Sequence, residues 1–152
     1  MSSTVIDEMQ AHAKRIASGM DAQVKPGQPA RFSEACAPGD SIRQGDLYLD
    51  IVESIPKDFV KVEKPTDVDK QLVPGNTQGA KHCLSSLIGV TLYRPKDWNE
   101  ESLVGPAFVS TKEVSVLHPT HGHVIVPAGT TVACNYQREW SKEEARERRA
   151  RD

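Results

Sequence analysis

Residues 43–52, Arg43-Gln44-Gly45-Asp46-Leu47-Tyr48-Leu49-Asp50-Ile51-Val52, decide the fold class. Leu47, Leu49 and Ile51 alternate with Tyr48, Asp50 and Val52. Successive side chains of a strand point to opposite faces, so this spacing predicts a strand with one buried face. The same rhythm returns downstream. Phe59 to Val62 reads as a second short strand, and the polar residues 63–76, with Pro65 and Pro74, as a long loop. Cys83 to Tyr93 reads as one bent strand or two, with Gly89 at the bend. Pro106 to Ser110 is a weak strand. In Glu113 to His118, the residues Val114, Val116 and His118 share a face. Val124 to Val126 and Thr131 to Gln137 read as a hairpin across Pro127-Ala128-Gly129. Many short strands between turns predict a mainly β domain, a small barrel or sandwich.

The flanks read differently. Over residues 4–20, Ile6, Met9, Ala13, Ile16 and Met20 recur at spacings of three and four, the stripe of an amphipathic helix. The stripe covers only about two heptads, too few for an isolated coiled coil. It docks either on its own domain or on a neighbouring subunit, which makes Ile6, Met9, Ile16 and Met20 the candidate interface. Pro26, Gly27, Pro29, Pro38 and Gly39 mark residues 22–42 as a connecting arm. At the other end, Ser141-Lys142-Glu143-Glu144 has the form of a capping box, with Trp140 before it. The charged residues after it predict a short solvated helix. The expected organisation is an N-terminal helix and arm over 1–42, a β-rich core over 43–140, and a charged C-terminal helix over 141–152.

Composition narrows the function classes. A chain of 152 residues suits one domain, and a net charge of -2 supplies no basic field for nucleic acid or anionic lipid. No apolar run approaches the roughly 18 residues of a membrane span. Aromatic residues make up 5% of the chain, too few for a base-stacking platform. Cys36, Cys83 and Cys134 are odd in number, widely spaced and lack a C-x-x-C pair, so reduced thiols in a cytoplasmic protein are expected. The N-terminus lacks the layout of a secretory signal.

Chemistry concentrates in His118-Pro119-Thr120-His121-Gly122-His123, which holds three of the five histidines. Two histidines two apart on a strand share a face and supply two metal ligands from one element. His118 folding back, and His82 meeting the cluster from a distant strand, would complete a set of imidazoles. Such a set suits Zn, Fe, Ni or Cu, and a two-His-one-carboxylate version needs a remote acid such as Glu113 or Asp46. The competing reading is a polar turn whose histidines cap it or line an interface. A second candidate is the loop Val73 to His82, where Gly75 and Gly79 permit close approach and Asn76, Thr77, Gln78 and Lys81 offer hydrogen bonds to a ligand. Its spacing is not that of a Walker loop. Ser85, Ser86 and Cys83 sit near His82 without a nucleophile turn.

Two families are similar to this chain at these residues. Gly122-x4-Pro127-x-Gly129, followed by Asn135, resembles the second cupin motif, and His121-x-His123 resembles the first. Here only three residues separate the two, whereas cupins place a pair of strands between them, and Val132 stands where the second motif has histidine. That resemblance implies a cupin-like barrel with a histidine-held metal. The second resemblance rests on Ile42-Arg43-Gln44-Gly45-Asp46-Leu47, on Gln71-Leu72-Val73-Pro74-Gly75 through His82, and on His118-Pro119-x-His121-Gly122 through Gln137-Arg138-Glu139. These segments look like a family of small β-rich proteins from bacterial and phage genomes, over residues 42 to 152. Its members often carry a second histidine in the glycine loop, where this chain has Ala80. The resemblance implies no established activity and a phage-related setting.

Two functional expectations follow. The first is a non-enzymatic binding or assembly protein, a homo-oligomer or part of a larger complex, in the cytoplasm or a phage particle. The second is a metal-dependent enzyme or metal-binding protein with His82, His118, His121 and His123 at its centre.

Overall fold

The computed structural model describes residues 29–75, 81–141 and 146–149. In chain order its strands are β1 (Ala30–Arg31), β2 (Ser41–Gln44), β3 (Leu47–Ile51), β4 (Phe59–Lys61), β5 (Cys83–Leu84), β6 (Val90–Pro95), β7 (Val104–Ser110), β8 (Val114–Leu117), β9 (Val124–Val126), β10 (Thr131–Tyr136), β11 (Arg138–Ser141) and β12 (Arg146–Arg149). One sheet has the order β2-β3-β10-β7-β6-β4 and a second β1-β9-β8-β5, while β11 and β12 pair with each other. Neither of the two larger sheets closes on itself, so the architecture is that of a sandwich rather than a barrel.

The opening stretch folds as its pattern predicts. Leu47, Leu49 and Ile51 are buried on β3 while Tyr48 and Asp50 are half-buried. β2 and β3 form a hairpin with Gln44 opposite Leu47, leaving only Gly45 and Asp46 as the turn. Gly45 has φ +61°, the conformation a two-residue hairpin turn demands and glycine adopts at no steric cost. Ile42, Leu49, Leu92, Phe108 and Val132 of the larger sheet belong to one buried cluster with Val114, Val116, Val124 and Val126 of the smaller. Full burial of each such side chain contributes about 1.5–3 kcal/mol.

Two expectations are corrected, and a third is resolved to one of its alternatives. β9 and β10 are not a hairpin: β9 pairs with β8 and β1, and β10 pairs with β3 and β7. The turn at Pro127-Ala128-Gly129 carries the chain from one sheet to the other, and the Gly129 N–H is taken by Ser110 O of β7. Cys83 to Tyr93 likewise divides into two strands of different sheets, with Gly89 in the passage between them. The C-terminal helix is replaced, in its described residues, by the antiparallel pair β11–β12. Its register sets Glu139 opposite Arg148 and Trp140 opposite Glu147. A capping box nucleates a helix only if the turns behind it have a face to dock, and residues 142–152 have no apolar stripe.

The arm is less of a connector than its proline and glycine content suggests. β1 runs parallel to β9, and Phe32 is fully buried in the core. Within the expected loop 63–76, a 3-10 turn forms over Asp67–Lys70, with the Asp69 carboxylate accepting the Thr66 N–H at 2.7 Å. The predicted helix over 4–20, with Ile6, Met9, Ile16 and Met20, lies outside the described residues. Among the described residues Cys36, Cys83 and Cys134 form no disulfide.

One close approach sets the packing of β7 on β10. Tyr136 donates its hydroxyl to Leu72 O at 2.6 Å and accepts from the Trp98 indole N–H at 3.1 Å. A Cβ on Gly105 would lie 2.5 Å from that hydroxyl oxygen and 2.8 Å from the ring carbon that bears it. The ring is buried and held at its tip, so it cannot swing aside cheaply. Gly105→Ala is expected to lower stability by about 1–3 kcal/mol, the range for overpacking a filled site. A shift of the urea midpoint without a change in slope checks it.

Candidate functional site

The hydrophobic pattern of β2 places a polar side chain where a core residue belongs. Ile42 and Gln44 share the inward face, and Gln44 is fully buried. Its amide nitrogen donates to Val116 O at 3.0 Å and Gly122 O at 2.8 Å, both on the side of the smaller sheet. Two carbonyl partners fix which end of the amide is nitrogen, so Oε1 must accept. It faces His82 Nδ1 at 2.8 Å. The other ring nitrogen of His82 lies 3.0 Å from Asp46 Oδ1. Both nitrogens of this buried imidazole therefore face acceptor oxygens. His82 has φ +48°, a left-handed conformation seldom taken by residues other than glycine, and its bonds to Gln44 and Asp46 hold it there.

The histidines of 118–123 close on this network. The His118 ring is 4.6 Å from that of His82 and 4.3 Å from that of His121, centroid to centroid. His118 Nδ1 accepts the backbone N–H groups of Thr120 at 3.1 Å and His121 at 3.0 Å. His118 is 3% exposed, and its Nε2 meets no hydrogen-bond partner among the described residues. The His118 N–H in turn donates to His123 Nδ1 at 3.2 Å. His123 itself is exposed and His121 half-buried. The two are not on a strand. Gly122, with φ +80°, precedes the start of β9, so His121 leans on His118 while His123 caps its backbone.

The sequence-derived candidates thus divide. His82, His118 and His121 come together, with His82 arriving from the segment before β5, and His123 touches the cluster through a backbone bond. Asp46, considered only as a remote acid, is the partner of His82. Glu113 lies away from it, paired with Arg31. Lys81 is half-buried next to His82, and Asn76, Thr77 and Gln78 lie outside the described residues. Gln44, which organises the network, was missed. Its signal was its parity: a polar residue two positions from Ile42 on a strand whose inward face is apolar.

The bonding decides what these imidazoles can do. Backbone N–H groups only donate, so His118 Nδ1 is unprotonated and the proton of the neutral ring sits on Nε2. Burial, and then repulsion from His82, His121 and Lys81, pulls the His118 pKa from 6.5 to about 4, which keeps the ring neutral near pH 7. A metal ligand needs a lone pair on the ring nitrogen it uses, and Nε2 offers a proton instead. Among the described residues no group of three or more His, Cys, Asp or Glu is placed to hold a metal ion. The arrangement presents donors.

A model of the family described as a domain of unknown function, DUF8820, matches residues 43–135. The chain belongs to this family. No curated protein and no solved structure matches it. Gln44, Asp46, His82, His118, His121 and His123 all lie inside the matched residues, whereas β1, Phe32 and the β11–β12 pair lie outside.

Two outcomes are expected. Gln44→Leu strands Val116 O, Gly122 O and His82 Nδ1–H in the interior, which costs about 2–5 kcal/mol, read from the urea midpoint. The pH dependence has a defined sign. The folded pKa of His118 lies below its unfolded value, so between pH 6.5 and about 4 the unfolded chain binds more protons. The stability tied to the neutral ring is complete above pH 6.5 and falls as the pH drops toward about 4. His118→Gln removes that component, so its acid-induced loss is shallower than that of the wild type.

Proposed function

We propose that this DUF8820 protein acts by binding rather than by catalysis, as a β-sandwich that joins a homo-oligomer or larger protein assembly and presents its histidine end as a recognition surface. The observation that carries this reading is the commitment of the imidazole nitrogens. A general base needs an open acceptor nitrogen facing its substrate. His82 has both nitrogens bonded, and His118 spends its acceptor on the Thr120 and His121 amides. Cys83 and Cys134 are poor nucleophiles: burial raises the pKa of Cys83, and raises that of fully buried Cys134 far more.

The assembly half of the reading draws support from topology. β1 is the edge strand of the smaller sheet, so the chain before Ala30 departs from an edge rather than from the middle of the body. The sequence pattern places the stripe Ile6, Met9, Ile16 and Met20 on that departing segment. An amphipathic stripe anchored at a sheet edge suits a second copy or a larger complex.

Native mass spectrometry of the full chain tests this. The wild type is expected as an oligomer, and Ile16→Asp as a single subunit whose urea midpoint is that of the wild-type sandwich. A wild type that stays a single subunit at micromolar concentration, or an Ile16→Asp chain that unfolds outright, overturns the interface.

A further inference from the structure

A buried N–H without a partner is rare, because leaving it unpaired forfeits the hydrogen bonds it made in water. His118 Nε2 is such a group, in a side chain 97% removed from solvent by its 3% exposure. Its surroundings have a definite chemical character. The ring lies against His82, whose two nitrogens face Gln44 and Asp46, and against the half-buried ring of His121. Lys81 adjoins His82 in the chain. The Asp46 carboxylate is engaged by His82 Nε2 on the far side of that ring from Gln44. Lys81 adds positive charge near the ring, and the carboxylate of Asp46 is already bonded to His82. The backbone amides on Nδ1 lock the ring, so the Nε2–H direction is set before any ligand arrives.

We propose that His118 Nε2–H is the donor of a small oxyanion site, taking one negatively charged oxygen of a carboxylate or phosphate group, with His121 lining its entry and Lys81 supplying the charge that holds it. A neutral acceptor would satisfy the hydrogen bond and leave the Lys81 charge uncompensated. A metal cation would meet a proton where it needs a lone pair. The half-buried ring of His121 is the exposed side of the trio, so the oxygen enters past it. Repulsion from His82, His121 and Lys81 lowers the proton affinity of His118, and a bound anion reverses that effect. The site deepens the binding reading above, and rests on it for its biological use. It does not depend on subunit number.

The test uses the full-length protein and two probes, inorganic phosphate and acetate, followed through the imidazole nitrogen resonances. Expected is a saturable shift of the His118 Nε2 signal with at least one anion, and no such shift with sodium chloride at equal ionic strength. Lys81→Met weakens that binding by about tenfold, the scale of one charge-assisted contact, while the chain stays folded. Saturation by phosphate alone points to a phosphorylated ligand, and saturation by acetate points to a carboxylate. The proposal is overturned if neither anion shifts the signal, which leaves a buried water as the partner of Nε2. It is overturned equally if the shift survives unchanged in that variant, or if zinc chloride alone binds at Nε2. An anion site that saturates in a protein that stays a single subunit would separate this inference from the assembly reading.

Discussion

The fold depends on satisfying one buried amide. Gln44 lies between the sheets at zero exposure, and a side-chain amide in that position is costly unless all its bonds are made. It makes them by reaching across the sandwich to Val116 O and Gly122 O while receiving His82. Those bonds fix three separate segments against one another: the β2–β3 hairpin, the end of β8 with the turn behind it, and the chain entering β5. A one-residue slip of β2 would turn Gln44 to the outer face and leave two carbonyls and an imidazole unpaired. The polar network therefore selects the register that the apolar residues alone would leave less certain, at the expense of some stability.

The character of the histidine cluster descends from the same constraint. Because Gln44 offers its oxygen to His82, His82 must donate, and its second nitrogen then faces Asp46. His118, pressed between His82 and His121, is locked by amides of its own turn. Each step converts an imidazole, a group able to accept or donate, into one with a single fixed role. A transition-metal site needs the opposite: acceptor nitrogens converging on one point, with donors turned outward to supporting groups. Chemistry that looks interchangeable in a list of histidines is decided by what bonds the other nitrogen.

Much of this was legible in the sequence, and the failures are informative. Period-two alternation located β3, β8 and the buried faces of both, since each strand is wet on one side. The convergence of His82 with the 118–123 cluster was legible as an option, because both flank strands of one small body. Alternation gives no account of which strands pair, so β9 and β10 read as a hairpin when they belong to different sheets. Phe32 was hidden in a proline- and glycine-rich arm, where composition outweighed a single aromatic residue. Gln44 was hidden for the opposite reason: its residue type signals solvent, and only its parity with Ile42 signals the core. The C-terminal helix failed over its described residues because a cap is a local signal, and β11 pairs with β12 there instead.

The boundaries of the family match separate two layers of the molecule. Every residue of the Gln44–His82–His118 network lies within the matched residues 43–135. β1 and Phe32 lie before it, although Phe32 is fully buried in the core. β1 covers the β9 edge and becomes the edge itself, and with two residues it offers a strand of another chain little backbone to pair with.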